Sequence, residues 1–349
     1  MLADRIEHRW IDAFERTFAL CGVAKDEPCA VLSETQSRTV NVHLAELALQ
    51  RMGAAPFHVT AVTPAQTAHA PVRSTGATRA LQSHGGIMAA LKASPFIVDL
   101  TVEGLMHAPE LPEILGAGAR VLTISNEHPD ALERLVPDPA LKDHIRAAAK
   151  LLRTTAQMSV TSAAGTELRV AMDGASTVGI WGFTDKPGTL AHWPGGIVVS
   201  FPKAQSTNGT LVLDAGDINL TFKRYLESQV VLTIEEDYVT KIEGEGTDAE
   251  LMRRYWRVWD DKEAYAVSHV GWGMNPGARY EALTFYDKGD FNGTEVRAYA
   301  GNFLFSTGAN EFANRYTEGH FDLPVRACTI ALDGQTVVER GMIVWDVFK

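Results

Sequence analysis

The sequence predicts two regions of different architecture: an open α/β region with a mostly parallel sheet over residues 1–150, then a larger, antiparallel, β-rich α+β region over residues 151–349. At 349 residues the chain exceeds what one ordinary hydrophobic core serves, which argues for a division. Up to about residue 125, short apolar runs alternate with helix-patterned segments, the texture of a parallel sheet with helices on both faces. After residue 152 the texture changes to short strands broken by Gly, Pro and Asn turns.

In order, residues 5–21 carry Ile6, Trp10, Phe14, Phe18 and Leu20 at roughly helical spacing, an amphipathic opening helix. Residues 29–32 read as a buried strand, 37–52 as a helix and 55–62 as a strand. Ser83-His84-Gly85-Gly86 leads into a helical run at 87–91, and strands at 96–100 and 119–124 flank a helical segment at 112–115. Asp138-Pro139 reads as a cap and first helical position, so 140–152, rich in Ala, Leu, Lys and Arg, becomes the bridge between regions. Strands are expected at 159–162, 167–170, 196–201, 210–214, 229–234, 238–243, 297–300, 328–332 and 336–338. The helix at 248–260 sets Leu251, Met252, Tyr255, Trp256 and Trp259 on one side, a stripe that reads as core.

Composition bounds the function. Hydrophobic residues at 46 % and charged ones at 21 % are those of a soluble globular protein, and no apolar run reaches the roughly 18 residues of a membrane span. A formal charge of −11 argues against nucleic acid as a partner, because phosphate binding needs a basic face. The sequence contains neither G-x-G-x-x-G nor G-x-x-x-x-G-K-[ST], so a nucleotide site is not expected. The charged opening reads as a helix, not a signal peptide, and Cys21, Cys29 and Cys328 are too few for a disulfide framework. Cytoplasm is the expected address, with Cys328 a buried thiol.

The chemistry centres on Glu318-Gly319-His320-Phe321-Asp322-Leu323-Pro324, which alternates as a strand. Residues two apart share a face, so His320 and Asp322 project side by side with Phe321 behind them. One imidazole and one carboxylate are two thirds of a 2-His-1-carboxylate iron site, although a strand-end histidine paired with a carboxylate fits the same spacing. Ser268-His269-Val270-Gly271-Trp272-Gly273 offers a second imidazole, His269, read here as a loop residue before a glycine-rich turn. The three together suit Fe(II) with open positions for substrate and O2, or zinc with a water. Arg297, alternating with apolar neighbours, reads as a strand residue facing a cavity or as a surface arginine on an edge strand. Ser306 and Thr307 read as ligand hydrogen-bonders or as an ordinary turn. His107 follows the strand at 96–100, near the carboxyl edge where α/β proteins bind ligands, as a mobile acid/base or an exposed residue. Trp193 is either a wall for a planar ligand or core.

Taken together, His192-Trp193-Pro194, the segment 209–214 with Gly216-Asp217, Ser268-His269 with Gly271-Trp272-Gly273, the segment 301–308 and His320-Phe321-Asp322 resemble the 2,5-dihydroxypyridine 5,6-dioxygenase family. The likeness runs over about residues 95–335 and more loosely through the N-terminal region. That family is similar in fold to thermophilic-type metalloaminopeptidases. The resemblance implies an Fe(II) site made by His269, His320 and Asp322 in the second region. It implies cleavage of a hydroxypyridine with O2 between C5 and C6 to N-formylmaleamic acid. It gives His107 proton transfer from a lid loop and Arg297 and Ser306 contact with substrate, in a homo-oligomer. Ile180 stands where the family has glutamate, which turns the expectation toward a differently substituted ring. Two rival readings are a metalloaminopeptidase-like hydrolase using Zn or Co and a non-catalytic ligand-binding protein. Against the hydrolase, the sequence has no E-x-x-H and no clustered glutamates near the triad.

Overall fold

The computed structural model describes residues 5–65, 76–289 and 292–348. The chain opens with α1 (His8–Leu20), β1 (Pro28–Glu34), α2 (Thr39–Arg51), β2 (Ala55–Ala61), α3 (Gly85–Lys92) and β3 (Phe96–Asp99). It continues with α4 (Leu111–Gly116), β4 (Arg120–Thr123), α5 (Pro129–Arg134) and α6 (Pro139–Thr154). Strands then dominate: β5 (Gln157–Thr161), β6 (Glu167–Ala171), β7 (Ser176–Ile180), β8 (Leu190–His192), β9 (Ile197–Phe201) and β10 (Thr207–Leu213). Next come β11 (Ile218–Asn219), β12 (Arg224–Tyr225), β13 (Val230–Glu235), β14 (Tyr238–Glu243), α7 (Gly246–Val258) and β15 (Val267–Gly273). The chain closes with α8 (Ala282–Phe285), α9 (Thr294–Ala298), β16 (Phe303–Asn310), β17 (Arg315–Val325), β18 (Thr329–Leu332), β19 (Gln335–Glu339) and β20 (Met342–Ile343).

The first sheet runs β2-β1-β3-β4-β8 with every pair parallel, and it takes β8 from beyond residue 150. Alternation along β1 serves two cores at once. Cys29 and Val31 pack with Phe14 and Phe18 of α1 and Leu44 of α2, while Ala30 and Leu32 pack with Leu91 of α3 and Ile114 of α4. Helices therefore cover both faces, as the alternating pattern predicts.

An eight-stranded antiparallel sheet, β14-β13-β10-β6-β5-β18-β19-β20, stands apart from a five-stranded antiparallel one, β17-β16-β15-β9-β7. Val198, Val270, Trp272, Phe305, Phe321 and Leu323 of the five-stranded sheet share a core with Met158, Leu168, Leu211 and Ile330 of the eight-stranded one and with helices α6 and α7. Phe321 stacks on Trp256 at 4.9 Å and meets Tyr255 edge-on at 4.7 Å. Burying such a ring contributes roughly 1.5–3 kcal/mol. The Met and Trp stripe of α7 is core, as its spacing implies, and Trp193 is core too, its Nε1 donating to the Leu135 carbonyl at 2.7 Å.

One expected strand is a helix. Residues 297–300 alternate as a strand would, yet Arg297 lies in the short helix α9. Gly293 turns the chain at φ 102°, and the buried Glu127 carboxylate accepts the first helical N–H, from Thr294, at 2.7 Å. Four residues of alternation do not outweigh a glycine turn and a cap supplied by a distant segment.

Candidate metal centre

The face of the five-stranded sheet turned away from the core floors a cavity of about 140 Å³. Strand alternation decides which side chains enter it. Phe321 and Leu323 go to the core, so His320 and Asp322 of β17 go to the cavity. On β15, Val270 and Trp272 go to the core and His269 to the cavity. A register shift between Val267 and Val270 leaves both valines in the core although they are three positions apart, and this bulge aims His269. His269 is thus a strand residue, not the loop residue its glycine-rich neighbourhood suggests. Those glycines serve close packing: a Cβ on Gly271 would lie 2.0 Å from the Val198 carbonyl oxygen of the adjacent β9.

The three side chains converge. Nε2 of His320 lies 3.3 Å and Nε2 of His269 3.8 Å from Oδ1 of Asp322, and one ligand atom from each lies within 4.8 Å of the others. Among the described residues no other group of His, Cys, Asp and Glu comes close enough to share a metal ion. Arg297 donates its Nε–H to Oδ2 of Asp322 at 2.6 Å, whereas the buried Oδ1 has no hydrogen-bond partner. A buried carboxylate oxygen left unpaired between two imidazoles is costly unless a cation takes it. The donor set fits a metal: two imidazoles and a carboxylate suit iron(II) with open positions, and zinc accepts the same ligands.

Electrostatics keep the ligands in their binding forms. Burial alone would raise the Asp322 pKa, but His320 and Arg297 outweigh it and hold the carboxyl well below the usual carboxylate range. Burial pushes His269 down to about 4, so it stays neutral. The Tyr255 hydroxyl donates to the His320 carbonyl at 2.5 Å and accepts the His320 N–H at 3.2 Å, which pins this length of β17. Ser306, read from sequence as part of a turn, lies inside β16 fully buried, with its Oγ 3.5 Å from His320 Nε2. Its neighbour Thr307 faces the other way and accepts from Trp256 Nε1 at 3.0 Å.

The cavity's other side comes from the carboxyl ends of the parallel strands, where such sheets bind ligands. The loop after β3 brings Glu103, Met106 and His107, β4 and its loop bring Thr123 and Ser125, and β8 ends on His192. The His107 ring lies 5.2 Å from that of His320, centroid to centroid. Burial, with His320 and His269 nearby, pushes its pKa down to about 3. Buried carboxylates hold the start of its loop. Asp99 accepts from Thr101 N at 3.1 Å, Thr101 Oγ1 at 2.6 Å, Leu105 N at 2.8 Å and Thr123 Oγ1 at 2.9 Å, and Glu34 accepts Val102 N at 2.6 Å. Gly104 sits at φ 83° where a Cβ would come within 2.9 Å of Ser125 Oγ, so the loop folds tightly on its neighbour.

His192 is a site residue that the sequence reading passed over in favour of Trp193. Its Nδ1 lies 2.9 Å from the Pro194 carbonyl, which can only accept, so Nδ1 carries the proton and Nε2 is left as an acceptor. Burial pushes its pKa down to about 4. His192 ends β8, the fifth strand of the parallel sheet, which no local sequence pattern marks. Val178, Ile180, Ile197, Val199, Phe201 and Leu304, from β7, β9 and β16 of the same five-stranded sheet, give the cavity an apolar side, with Ile180 at the end of the edge strand β7.

A profile of the 2,5-dihydroxypyridine 5,6-dioxygenase family (NicX) matches residues 9–345. A 2,5-dihydroxypyridine 5,6-dioxygenase of Pseudomonas putida KT2440 is 36 % identical over 341 residues, 95 % of each chain. The solved structure of the 2,5-dihydroxypyridine dioxygenase from the same strain is similar with a TM-score of 0.90, at 36 % identity over 96 % of each chain. AmpT from Thermus thermophilus, at 14 % identity and a TM-score of 0.62 over 96 % of this chain and 99 % of that one, shares the fold.

Proposed function

The chain belongs to the 2,5-dihydroxypyridine 5,6-dioxygenase family, and on that premise we propose that it opens 2,5-dihydroxypyridine, or a close analogue, between C5 and C6 with O2 to give N-formylmaleamic acid. The observation that carries this reading is the buried Asp322 Oδ1, without a hydrogen-bond partner, facing the imidazoles of His269 and His320 in a cavity of about 140 Å³. His269, His320 and Asp322 would hold iron(II) there. Bound iron would supply one-electron access to O2, which no side chain offers.

The rest is work for this chain's own groups. The imidazole of His107, 5.2 Å from that of His320, is placed to exchange a proton with a ring hydroxyl. Arg297 lines the cavity with a guanidinium fixed on Asp322, and it stabilises negative charge on the ring oxygens. Ser306, fully buried and not lining the cavity, lies with its Oγ 3.5 Å from His320 Nε2, where it steadies that imidazole. Nε2 of His192 accepts from an O–H or N–H of the ring. The apolar wall around Ile180 holds the ring face and excludes water, and it offers no hydrogen bond to the ring edge lying on it. The three buried, unpaired cysteines support a cytoplasmic setting, and the family likeness supports a homo-oligomer. No helix among the described residues is long and apolar enough to cross a membrane.

The test is anaerobic reconstitution of the metal-free protein with Fe(II) or Zn(II), followed by oxygen uptake with 2,5-dihydroxypyridine. Iron-dependent consumption of one O2 per ring opened is expected. Zinc-dependent amine release from aminoacyl substrates, without oxygen consumption, would overturn the proposal.

A further inference from the structure

We propose that Glu127 is a positioning residue that sets Arg297 on Asp322 and so decides which carboxylate oxygen is presented to the metal; the inference rests on the metal reading above. Arg297 engages Oδ2 alone and leaves Oδ1 free toward the two histidines. The metal-facing oxygen is therefore chosen by where Arg297 stands. Arg297 rides on α9, a helix of five residues, far shorter than a helix that holds itself. Something outside must fix it.

Two fully buried carboxylates do. Glu127, in the loop after β4, accepts the N–H of Thr294, the first residue of α9, at 2.7 Å with Oε1. Its own backbone is held from behind, since its carbonyl accepts from the buried Asn41 Nδ2 of α2 at 2.8 Å. Glu295, the next residue of α9, accepts from both terminal nitrogens of Arg134 on α5, at 2.6 and 3.0 Å, and from Arg279 N at 2.9 Å. Arg134 and Glu295 fasten the helix laterally, while Glu127 meets the end whose N–H groups point along the axis toward it. Arg297 follows Thr294 by one turn. A carboxylate from the α/β layer thus fixes the guanidinium that orders a ligand on the five-stranded sheet. The second Glu127 oxygen, Oε2, has no partner, so the clamp needs only one acceptor atom.

That last point makes the assignment testable. Glu127→Ala, Glu127→Gln, Arg297→Ala and the double variant Glu127→Ala/Arg297→Ala are compared with the wild-type chain. Two quantities are read: Co(II) affinity by competition with a chelator, and KM against kcat in oxygen uptake by the iron form. Glu127→Ala is expected to weaken Co(II) binding by roughly tenfold or more, as outer-shell losses do. Glu127→Gln keeps an acceptor for Thr294 N–H and stays near wild type. In the Arg297→Ala background, Glu127→Ala adds nothing, because its route to the metal is already cut. Independent, multiplying losses in the double variant would overturn the assignment, as would a Glu127→Gln protein as weak as Glu127→Ala. A fall in thermal stability with unchanged metal affinity would overturn it too. If Glu127→Ala does not fold, Glu127→Met removes the acceptor at similar volume, and the Glu127→Gln result still decides. Wild-type protein that takes up no Co(II) would bring down the metal reading and this inference together, whereas additive variants of a metal-binding wild type bring down this inference alone.

Discussion

The cavity has two sides built on different principles. Its floor is a sheet whose side chains are aimed by alternation and one bulge, and it supplies the three metal-ligand candidates. Its roof is a set of loops at the carboxyl ends of parallel strands, and it supplies His107, Ser125 and His192. The floor is rigid because a packed core lies directly beneath it, with Phe321 and Trp272 fully buried behind the ligands. The roof packs Leu105 and Ala108 into the core of the α/β layer and is stiffened further by buried carboxylates, Asp99 and Glu34, which gather loop N–H and O–H donors. The three metal-ligand candidates rest on strands, and the proposed proton-transfer residue His107 rests on a loop held by hydrogen bonds.

Substitutions on the two sides should separate binding from turnover. On the floor, His320→Ala removes a ligand, and both iron retention and ring opening should vanish, as metal analysis and oxygen uptake will record. Native iron affinity in that protein would contradict the ligand assignment. On the roof, His107→Ala should keep its iron while kcat drops roughly 10²- to 10⁴-fold, the usual reach of a general base. An unchanged kcat would remove His107 from the chemistry. Asp99→Ala should act more weakly through the same loop, lowering kcat by about tenfold or more through misplacement of His107, with metal affinity intact. Hydrogen exchange should quicken at Leu105 and His107 in that variant and nowhere on β17.

The smallest effect concerns His192. Its imidazole titrates at about 4 in the folded chain against 6.5 as the ordinary value. Between those values the unfolded chain binds a proton that the native chain refuses. The stability this neutral histidine contributes is therefore whole above pH 6.5 and is lost as pH falls toward 4. His192→Gln should lower proton uptake on unfolding at about pH 5 by close to one, measured as the slope of stability against pH. An unaltered slope would mean that the folded imidazole titrates normally.

The floor was far more legible in the sequence than the roof. The H-x-D pair could be read because residues 320–325 of β17 pair with β16 without a register shift, and Phe321, Leu323 and Val325 make one face apolar. His269 was found as a residue but misread as a loop, because β15 is buried at every position and its bulge breaks the period of two. Arg297 was assigned to a strand because a five-residue helix is too short to express a helical period, and its cap comes from Glu127, 167 positions away. His192 and the apolar wall of Ile180 and Val199 went unassigned, since β9 sends Val198 to the core and Ile197 and Val199 to the cavity, and a strand apolar on both faces does not show which one meets a ligand. The parallel sheet was read correctly up to β4, but nothing in residues 190–192 marks them as its fifth strand.

The central claim is that His269, His320 and Asp322 grip one metal ion at the end of this cavity. The most direct measurement is anomalous scattering at the iron edge from crystals grown and loaded with Fe(II) without oxygen. A single peak per chain, in bonding contact with Nε2 of both histidines and Oδ1 of Asp322, is the result expected. Iron bound elsewhere, or full oxygen uptake by a protein with no peak at that point, would contradict it.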